Sequence, residues 1–245
     1  MAKNTGRLGR DYMNRQQNTL RPLSSSQQIY ELYLFVNPIG LKCYNIEQEV
    51  LRFIEDVEDV KIHFRFITFH NFNTVTQYMK RLNLPTNNLQ LRNQMYQTIY
   101  DACLAYKAAL MQGKKRGRKF LLLLQKELTS HPIEYSDELL TRVAEGARLD
   151  VDMFFEDKAS GFVKSSYEAD QQIGQEMNIL QTPSLVIFDS LNNHFGVLLE
   201  DNITYELIEE AVGQPLTTLN TSHDTQVLKK DNVRIIGKDY LSIIK

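Results

Sequence analysis

The distribution of hydrophobic and polar residues predicts a strand, a helix and a second strand near the start of the chain. Residues Ile29–Val36 form a short, nearly continuous apolar run, which is typical of a strand buried on both faces. Asn37-Pro38-Ile39-Gly40 breaks this run, and Leu41–Val57 then repeats apolar residues along one helical stripe. Val60–Phe69 alternates apolar and polar side chains, which predicts a second strand. Elements in this order form a parallel strand pair with a right-handed crossover.

The middle of the chain is predicted to be helical. At its start we expect a loop or an irregular helix over His70–Asn93, because this segment is polar and carries four asparagines around Pro85. Beyond it the pattern indicates five helices and no strand. Their expected positions are Gln94–Gln112, Lys115–Thr129, Ser136–Arg148, a short helix around Phe154-Phe155 capped by Asp150 or Asp152, and Gly161–Met177.

A strand pattern returns after the helical region. Ser184–Phe188 and His194–Leu199 flank a turn at Asp189–Asn193, which predicts an antiparallel hairpin, and Tyr205–Val212 is a closing amphipathic helix. This order is similar to a thioredoxin-like α/β fold with an inserted α-helical domain. The expected domains are a discontinuous thioredoxin-like domain (29–93 and 178–213), an inserted helical domain (94–177), a basic polar leader (1–28) and a C-terminal tail (214–245).

Composition narrows the classes of function. A chain of 245 residues is long enough for one core with an inserted subdomain, and 42% hydrophobic residues is ordinary for a globular protein. A net charge of −2 gives no reason to expect nucleic acid or an anionic membrane as partner. The longest apolar run, Phe120–Leu124, is far shorter than the roughly 18 residues of a membrane span.

The two ends and one internal cluster remain open to interpretation. The leader has five cations and one acid, and we expect it to be a mobile tail; the alternative is an arm that contacts a partner. Because it lacks an apolar run of the secretory kind, we expect a cytoplasmic location. The apolar residues after Val233 either pack on the protein or meet a partner. A basic cluster opens the second helix of the middle region, where a solvated face is the simpler interpretation and a functional contact the alternative. Its members are Lys114, Lys115, Arg116, Arg118 and Lys119.

The candidate chemistry is that of a thiol site that has lost its nucleophile. In the thioredoxin fold the first cysteine of the active pair lies at the start of the helix after the first parallel strand, where the helix dipole favours its thiolate. Gly40 occupies that position, and only the resolving cysteine remains, as Cys43. No dithiol can form, although Lys42 would favour a Cys43 thiolate. Cys43 is therefore a weak catalytic candidate, whereas Cys103 is expected to pack in the core.

A second landmark is Thr182-Pro183, immediately before a predicted strand. In this fold a cis-proline at that point faces the helix that carries the active pair, and its neighbouring backbone can pair with an extended peptide. The sequence does not distinguish cis from trans. We predict a binding site made of both segments: Pro38, Ile39, Gly40, Leu41, Lys42, Cys43, Tyr44, Thr182 and Pro183.

Three segments resemble the DsbA-like family and, more narrowly, the SpxH (YjbH) adaptor proteins of low-GC Gram-positive bacteria. They are Ile29–Gln48, Leu139–Phe155 and Ala169–Phe188. Members closest to DsbA carry Asp-Pro-Leu-Cys-x-x-Cys-Trp with a Glu shortly after it. At those places this chain has Asn37, Pro38, Ile39, Gly40, Cys43, Tyr44 and Glu47.

The resemblance implies a protein-binding adaptor. Such proteins bind the transcription regulator Spx and promote its degradation by the ClpXP protease in the cytoplasm. The alternative is an enzyme that uses Cys43, either a thiol-disulfide oxidoreductase or a kappa-type glutathione transferase, although the transferases carry Ser where this chain has Gly40. We expect no metal and no cofactor, because the histidines lack paired metal spacing and no phosphate-binding loop is present. The sequence leaves the oligomeric state open.

Overall fold

The computed structural model of the chain describes residues 28–58, 60–130, 134–190, 195–213 and 233–237. The predicted leader up to residue 27, most of the hairpin turn and most of the C-terminal tail lie outside these ranges. The strands are β1 (Ile29–Val36), β2 (Lys61–Thr68), β3 (Ser184–Asp189), β4 (Phe195–Glu200) and β5 (Val233–Gly237). The helices are α1 (Leu41–Asp56), α2 (Phe72–Arg81), α3 (Leu89–Met111), α4 (Lys114–Ser130), α5 (Asp137–Gly146), α6 (Val151–Ala159), α7 (Gly161–Glu176) and α8 (Tyr205–Gly213).

The strands form one mixed sheet in the order β2-β1-β3-β4-β5. β1 and β2 run parallel, as the strand–helix–strand pattern predicted, with Ile29 opposite Lys61 and Val36 opposite Thr68. β3 lies antiparallel to both β1 and β4, so the predicted hairpin is present. The observed order of elements is the predicted one, except for an added helix and an added strand.

Successive residues of β1 supply two different cores, because side chains of a strand alternate between faces. Leu32 and Leu34 pack with Phe53 of α1 and Ile208 of α8 on one face. Tyr33 and Phe35 pack on the other face with Ile173 of α7. Burial of each such side chain contributes roughly 1.5–3 kcal/mol, so β1 is fixed from both sides.

Helices α2 to α7 lie between β2 and β3 and have a core of their own. Large side chains from several of them are fully buried there, among them Met79, Ile99, Phe120, Leu140 and Phe154. None of the helices within the described ranges is long and apolar enough to cross a membrane.

The segment expected to be a loop or an irregular helix is instead largely helical. Asn71 and Thr74 form a reciprocal capping box at the start of α2, in which the Thr74 amide donates to Asn71 Oδ1 at 2.9 Å. Asn88 caps α3 in the same way through the Leu91 amide, at 3.0 Å. Two asparagines of this polar segment therefore begin helices, and one of them, Asn88, belongs to the run around Pro85 that suggested a loop. Residue 94, the predicted start of the inserted domain, lies inside α3, and the domain division stays a prediction.

Part of the C-terminal tail packs on the sheet, which was one of the two alternatives. Val233–Gly237 pairs with β4 in antiparallel register and adds a fifth strand. Arg234 Nη2 lies 2.6 Å from Glu200 Oε2 across this pair. The short run of branched residues was therefore a strand, although its partner β4 lies more than thirty residues earlier.

Candidate functional site

The turn that leads into α1 is built by Asn37. Its carbonyl accepts a hydrogen bond from the Gly40 amide at 3.0 Å, and its Oδ1 accepts from the Ile39 amide at 3.1 Å. Gly40 is the N-cap residue, and its carbonyl accepts from the Tyr44 amide at 3.1 Å. The helix therefore begins at the predicted point, and its N-cap position carries no side chain.

The backbone at Gly40 still has the geometry of a residue that carries a side chain. Its φ of −93° is ordinary for any L-amino acid. A Cβ built there would lie 3.3 Å from Cys43 Sγ and 3.3 Å from the Asn37 carbonyl oxygen. A side chain at residue 40 would therefore begin in close contact with the Cys43 sulfur, as the predicted thiol site requires.

The Cys43 thiol is enclosed. Its side chain is 0% exposed, and its sulfur accepts a hydrogen bond from the Asn37 amide at 3.2 Å. Burial, followed by the neighbouring Glu47 carboxyl, raises the pKa of the thiol to about 12. Lys42, which was expected to favour a thiolate, instead pairs its ammonium with Asp201 at 3.0 Å. At neutral pH Cys43 is a protonated, shielded thiol.

A second titratable group lies one helical turn beyond Cys43. Glu47 is fully buried, and its Oε1 accepts a hydrogen bond from Gln125 Nε2 of α4 at 2.7 Å. Its Oε2 has no hydrogen-bond partner among the residues that the structure describes. Burial raises the pKa of Glu47 to about 8, so the carboxyl is mostly protonated at neutral pH. The sequence indicated Glu47 only through the resemblance, and nothing in it pointed to Gln125.

The structure brings the two predicted segments together. The Thr182-Pro183 peptide bond is cis, and both residues are buried. The Thr182 side chain lowers the pKa of the Cys43 thiol against the larger, opposing effect of burial. Arg81 Nη1 donates to the Thr182 carbonyl at 3.2 Å, so α2 supports the loop from the other side.

Most of the predicted binding residues lie beneath the surface rather than on it. Leu41 is exposed, and Lys42 and Tyr44 are half-buried; the other six are buried. The six are Pro38, Ile39, Gly40, Cys43, Thr182 and Pro183.

The accessible surface around these residues includes three that the sequence did not indicate. Asp201 Oδ1 binds Lys42, and Asp201 Oδ2 accepts from Gln181 Nε2 at 3.2 Å. Leu41 and Leu180 are 55% and 49% exposed. We call these five residues, Leu41, Lys42, Leu180, Gln181 and Asp201, the rim.

The remaining candidate chemistry lies elsewhere. Cys103 is fully buried in the helical core, where it was expected to pack, and its sulfur lies 3.9 Å from His70 Nδ1. Both cysteines, each in a described helix, are free thiols. Within the described ranges no group of three or more His, Cys, Asp or Glu side chains could hold a metal ion.

Comparison with known proteins finds a matching family model, named relatives and similar solved structures. A thioredoxin family model matches residues 33–210. The ClpXP adapter protein SpxH of Bacillus licheniformis is 27% identical over 211 residues, which cover 78% of this chain and 68% of the relative. The same-named protein of Bacillus cereus is 27% identical over 207 residues, covering 78% of this chain and 70% of the relative.

Among solved structures, oxidoreductase DsbA from Xylella fastidiosa superposes with a TM-score of 0.51 at 13% identity, covering 79% of this chain and 87% of that one. This likeness concerns the fold alone. Together the comparisons confirm the predicted α/β class, a thioredoxin-like, DsbA-like fold, and the predicted resemblance to the SpxH adaptors.

Proposed function

Because the chain belongs to the thioredoxin family, we propose that it is a protein-binding adaptor on a DsbA-like scaffold with a degenerate active site. In this proposal it binds an Spx-type transcription regulator and promotes its degradation by the ClpXP protease. The relatives that carry the name ClpXP adapter protein SpxH support this function. The expected setting is the cytoplasm, where such a protease and its regulator meet.

The observation that carries the proposal is the shielded sulfur of Cys43 opposite the bare position of Gly40. Disulfide exchange requires an accessible thiolate that attacks and a second thiol that resolves the mixed disulfide. Cys43 has 0% exposure and a pKa raised to about 12, and Gly40 offers no sulfur. An adaptor needs a surface of fixed shape, which this turn provides without any reactive group.

The same observation weakens the enzymatic alternative. A thiol-disulfide oxidoreductase that uses Cys43 alone would have to expose a side chain that packs in the main core with Val50 and Leu34. A kappa-type glutathione transferase would need a hydroxyl or thiol at residue 40 to bind the glutathione sulfur. Neither requirement is met by the geometry around Gly40.

We place the regulator-binding surface at the rim. Two exposed leucines, Leu41 and Leu180, adjoin in sequence Lys42 and Gln181, which both bind Asp201. Apolar anchors within a polar border are typical of protein interfaces. The buried members of the predicted site, from Pro38 to Gly40 and at Pro183, would hold this surface in shape from below. The predicted binding residues thus divide into contacting and supporting ones.

The test is degradation of a purified Spx-type regulator by purified ClpXP, with and without the full chain. We expect the chain to accelerate degradation and Cys43→Ala to retain that effect. Leu41→Glu combined with Leu180→Glu should abolish it, because charges at both anchors oppose apolar contact. Met153→Glu is the matched control, since Met153 is also 49% exposed but lies on α6 of the helical insertion.

Two results would contradict the proposal. One is a regulator that neither binds the chain in a pull-down nor is degraded faster in its presence. The other is reduction of a model disulfide such as insulin by the purified chain, lost on Cys43→Ser, which would establish the enzymatic alternative.

A further inference from the structure

The outer edge of β2 carries peptide groups that no described strand uses. β2 is the terminal strand of the described sheet. The Lys61 amide donates to the Gln28 carbonyl at 3.0 Å, and the Phe69 amide donates to the Val36 carbonyl at 3.1 Å. Hydrogen bonds to one neighbour recur at every second residue of a strand, so the odd-numbered residues of β2 bond to β1. The N–H and C=O groups of the even-numbered residues 62, 64 and 66 therefore point away from the sheet.

A cavity of about 390 Å³ lies beside this edge, between β2 and the helices α3 and α4. We call it the β2 groove. Its lining is half apolar and half cationic: Phe64, Phe66, Tyr106 and Leu110, with Arg65, Lys107, Lys114 and Arg118. Two of these cations, Arg65 and Lys107, share an ion pair with the buried Asp170, at 3.0 and 2.8 Å. The two from α4 do not.

The first turns of α4 leave the positive charge of the groove uncompensated. These turns contain the basic cluster found in the sequence, and no acid lies in the first turn of α4. In the described part of the chain none of its five cations forms an ion pair. The helix dipole adds to the same positive potential at this end. A second cavity of about 730 Å³ is lined by five cations, Lys115, Arg116, Arg118, Lys119 and Arg148, with Glu55 as the one acid.

We propose that the β2 groove binds an extended acidic peptide segment of a partner protein. The segment would add as a strand to the outer edge of β2, pairing with the peptide groups of residues 62, 64 and 66. Its acidic side chains would meet Lys114 and Arg118, and an apolar side chain would enter between Phe64 and Tyr106. This inference does not depend on the rim or on the adaptor function, since it uses a different edge of the molecule.

Nucleic acid would pair with the cations of the groove but would leave the outward peptide groups of β2 without partners. A phosphate backbone has no use for the outward peptide groups of β2, whereas a peptide strand uses both their donors and their acceptors. The net charge of −2 also means that the positive potential is local to this groove rather than a property of the surface as a whole. An acidic peptide is therefore the occupant that matches every feature of the groove.

The test measures fluorescence anisotropy of a labelled peptide with alternating glutamate and valine, eight residues long to match β2, against the full chain. We expect binding that weakens as salt is raised, because screening shortens the Debye length from about 10 Å at 0.1 M. Lys114→Glu combined with Arg118→Glu should weaken binding by about tenfold or more. Lys80→Glu combined with Lys164→Glu, an equal charge change at exposed lysines of α2 and α7, should leave binding unchanged.

Two N-methylated peptides test the edge pairing on the wild-type chain, so the result does not depend on how a variant folds. Each peptide is methylated at alternate amides, in opposite phase. An added strand directs only alternate amides to its neighbour, so one phase should abolish binding and the other should be tolerated. Equal binding of both phases, or no binding of the unmodified peptide, would overturn the proposal.

Two further outcomes would also overturn it. Single-stranded DNA of equal charge that competes as well as the peptide would identify a general anion site for nucleic acid. Self-association in sedimentation that disappears in the Lys114→Glu, Arg118→Glu variant would identify a second copy of the chain as the occupant of the edge.

Discussion

Two buried carboxyl groups, Glu47 and Asp170, avoid the cost of an unpaired buried charge in opposite ways. Asp170 lies where the helical insertion meets the sheet and binds Lys107 and Arg65, with the Thr68 hydroxyl at 3.4 Å. Glu47 lies one helical turn beyond Cys43, receives one hydrogen bond from Gln125 and has no cation beside it among the described residues. The first group is held by ion pairs, and the second avoids charge by keeping its proton.

The comparison teaches that burial alone does not tell the role of an acid. A paired acid joins two parts of a fold, so its loss is a structural event. An acid left without a counter-charge lowers stability at neutral pH, and proteins keep such groups where chemistry takes place. Glu47 is such an uncompensated acid, and it lies one helical turn from Cys43 in the predicted site. The four predictions that follow probe this contrast.

The largest effect is expected for Asp170→Asn. The substitution leaves Lys107, only 6% exposed, with a buried charge and no carboxylate. We expect a loss of about 3–5 kcal/mol in the free energy of unfolding, measured by urea denaturation. Asp152→Asn, on the exposed face of α6, should change it by no more than about 0.5 kcal/mol. A small effect at Asp170 would show that Lys107 reaches water and that the junction is not held by charge.

Glu47→Gln should act in the opposite direction, and only as the pH rises. The unfolded chain loses this proton near its ordinary pKa of 4.5, whereas the folded chain keeps it up to about 8. Between these values the unfolded state binds fewer protons, so Glu47 lowers the stability of the wild type as the pH increases. The variant should match the wild type near pH 4.5 and exceed it by about 2–4 kcal/mol above pH 8.

Comparison of the two proteins at each pH isolates this effect. His70, whose pKa burial lowers to about 4, makes both proteins lose stability as the pH falls below 6.5, and its contribution cancels in the difference. Urea denaturation across this range measures the difference directly. A gain that does not vary with pH would mean that Glu47 is ionised in the folded protein throughout.

Features that depend on a short stretch of the sequence were predictable. The strand at Ile29–Val36, the helix start at Leu41 and the bare position at Gly40 follow from local patterns, and all three were predicted. Asn88 was misinterpreted as part of a loop because asparagine, which is unfavourable inside a helix, is also a preferred residue at a helix start.

Contacts that join distant parts of the chain were not predictable. Gln125 and Glu47 are 78 residues apart, and Lys42 and Asp201 are 159 apart. No local pattern marks an exposed Asp after a strand as the partner of a lysine in another element. The sequence therefore located the turn before α1, while tertiary packing decided which residues form the surface around it.

Gln125→Leu tests the comparison of Glu47 with Asp170 through a smaller expected change in stability. It removes the hydrogen bond to Glu47 Oε1 that lowers the pKa of this carboxyl, so we expect that pKa to rise further above 8. Because the carboxyl can remain neutral, the loss of stability at pH 6 should be only about 1 kcal/mol. Removing the partner of the paired acid by Lys107→Met should cost several times more, about 3–5 kcal/mol. Equal losses from both substitutions would contradict the distinction between the two sites.

The smallest effect on stability, and the most direct test of the site, is expected for Gly40→Cys. A Cβ at this position lies 3.3 Å from Cys43 Sγ, close enough for the new sulfur to approach the S–S distance of about 2.0 Å with a small local shift. We expect a disulfide between residues 40 and 43 on mild oxidation, detected by mass spectrometry and by loss of titratable thiols. Closing a four-residue loop stabilises the folded chain, whereas the close contact of the new side chain at residue 40 destabilises it. Because these effects offset each other, stability should stay within about 1 kcal/mol of the wild type. Gly40→Ser is the control, because it places a similar atom at the helix start without a sulfur. Failure to form the disulfide under conditions in which the thiol at residue 40 is accessible would mean that the turn has lost the geometry of the thiol site along with its nucleophile.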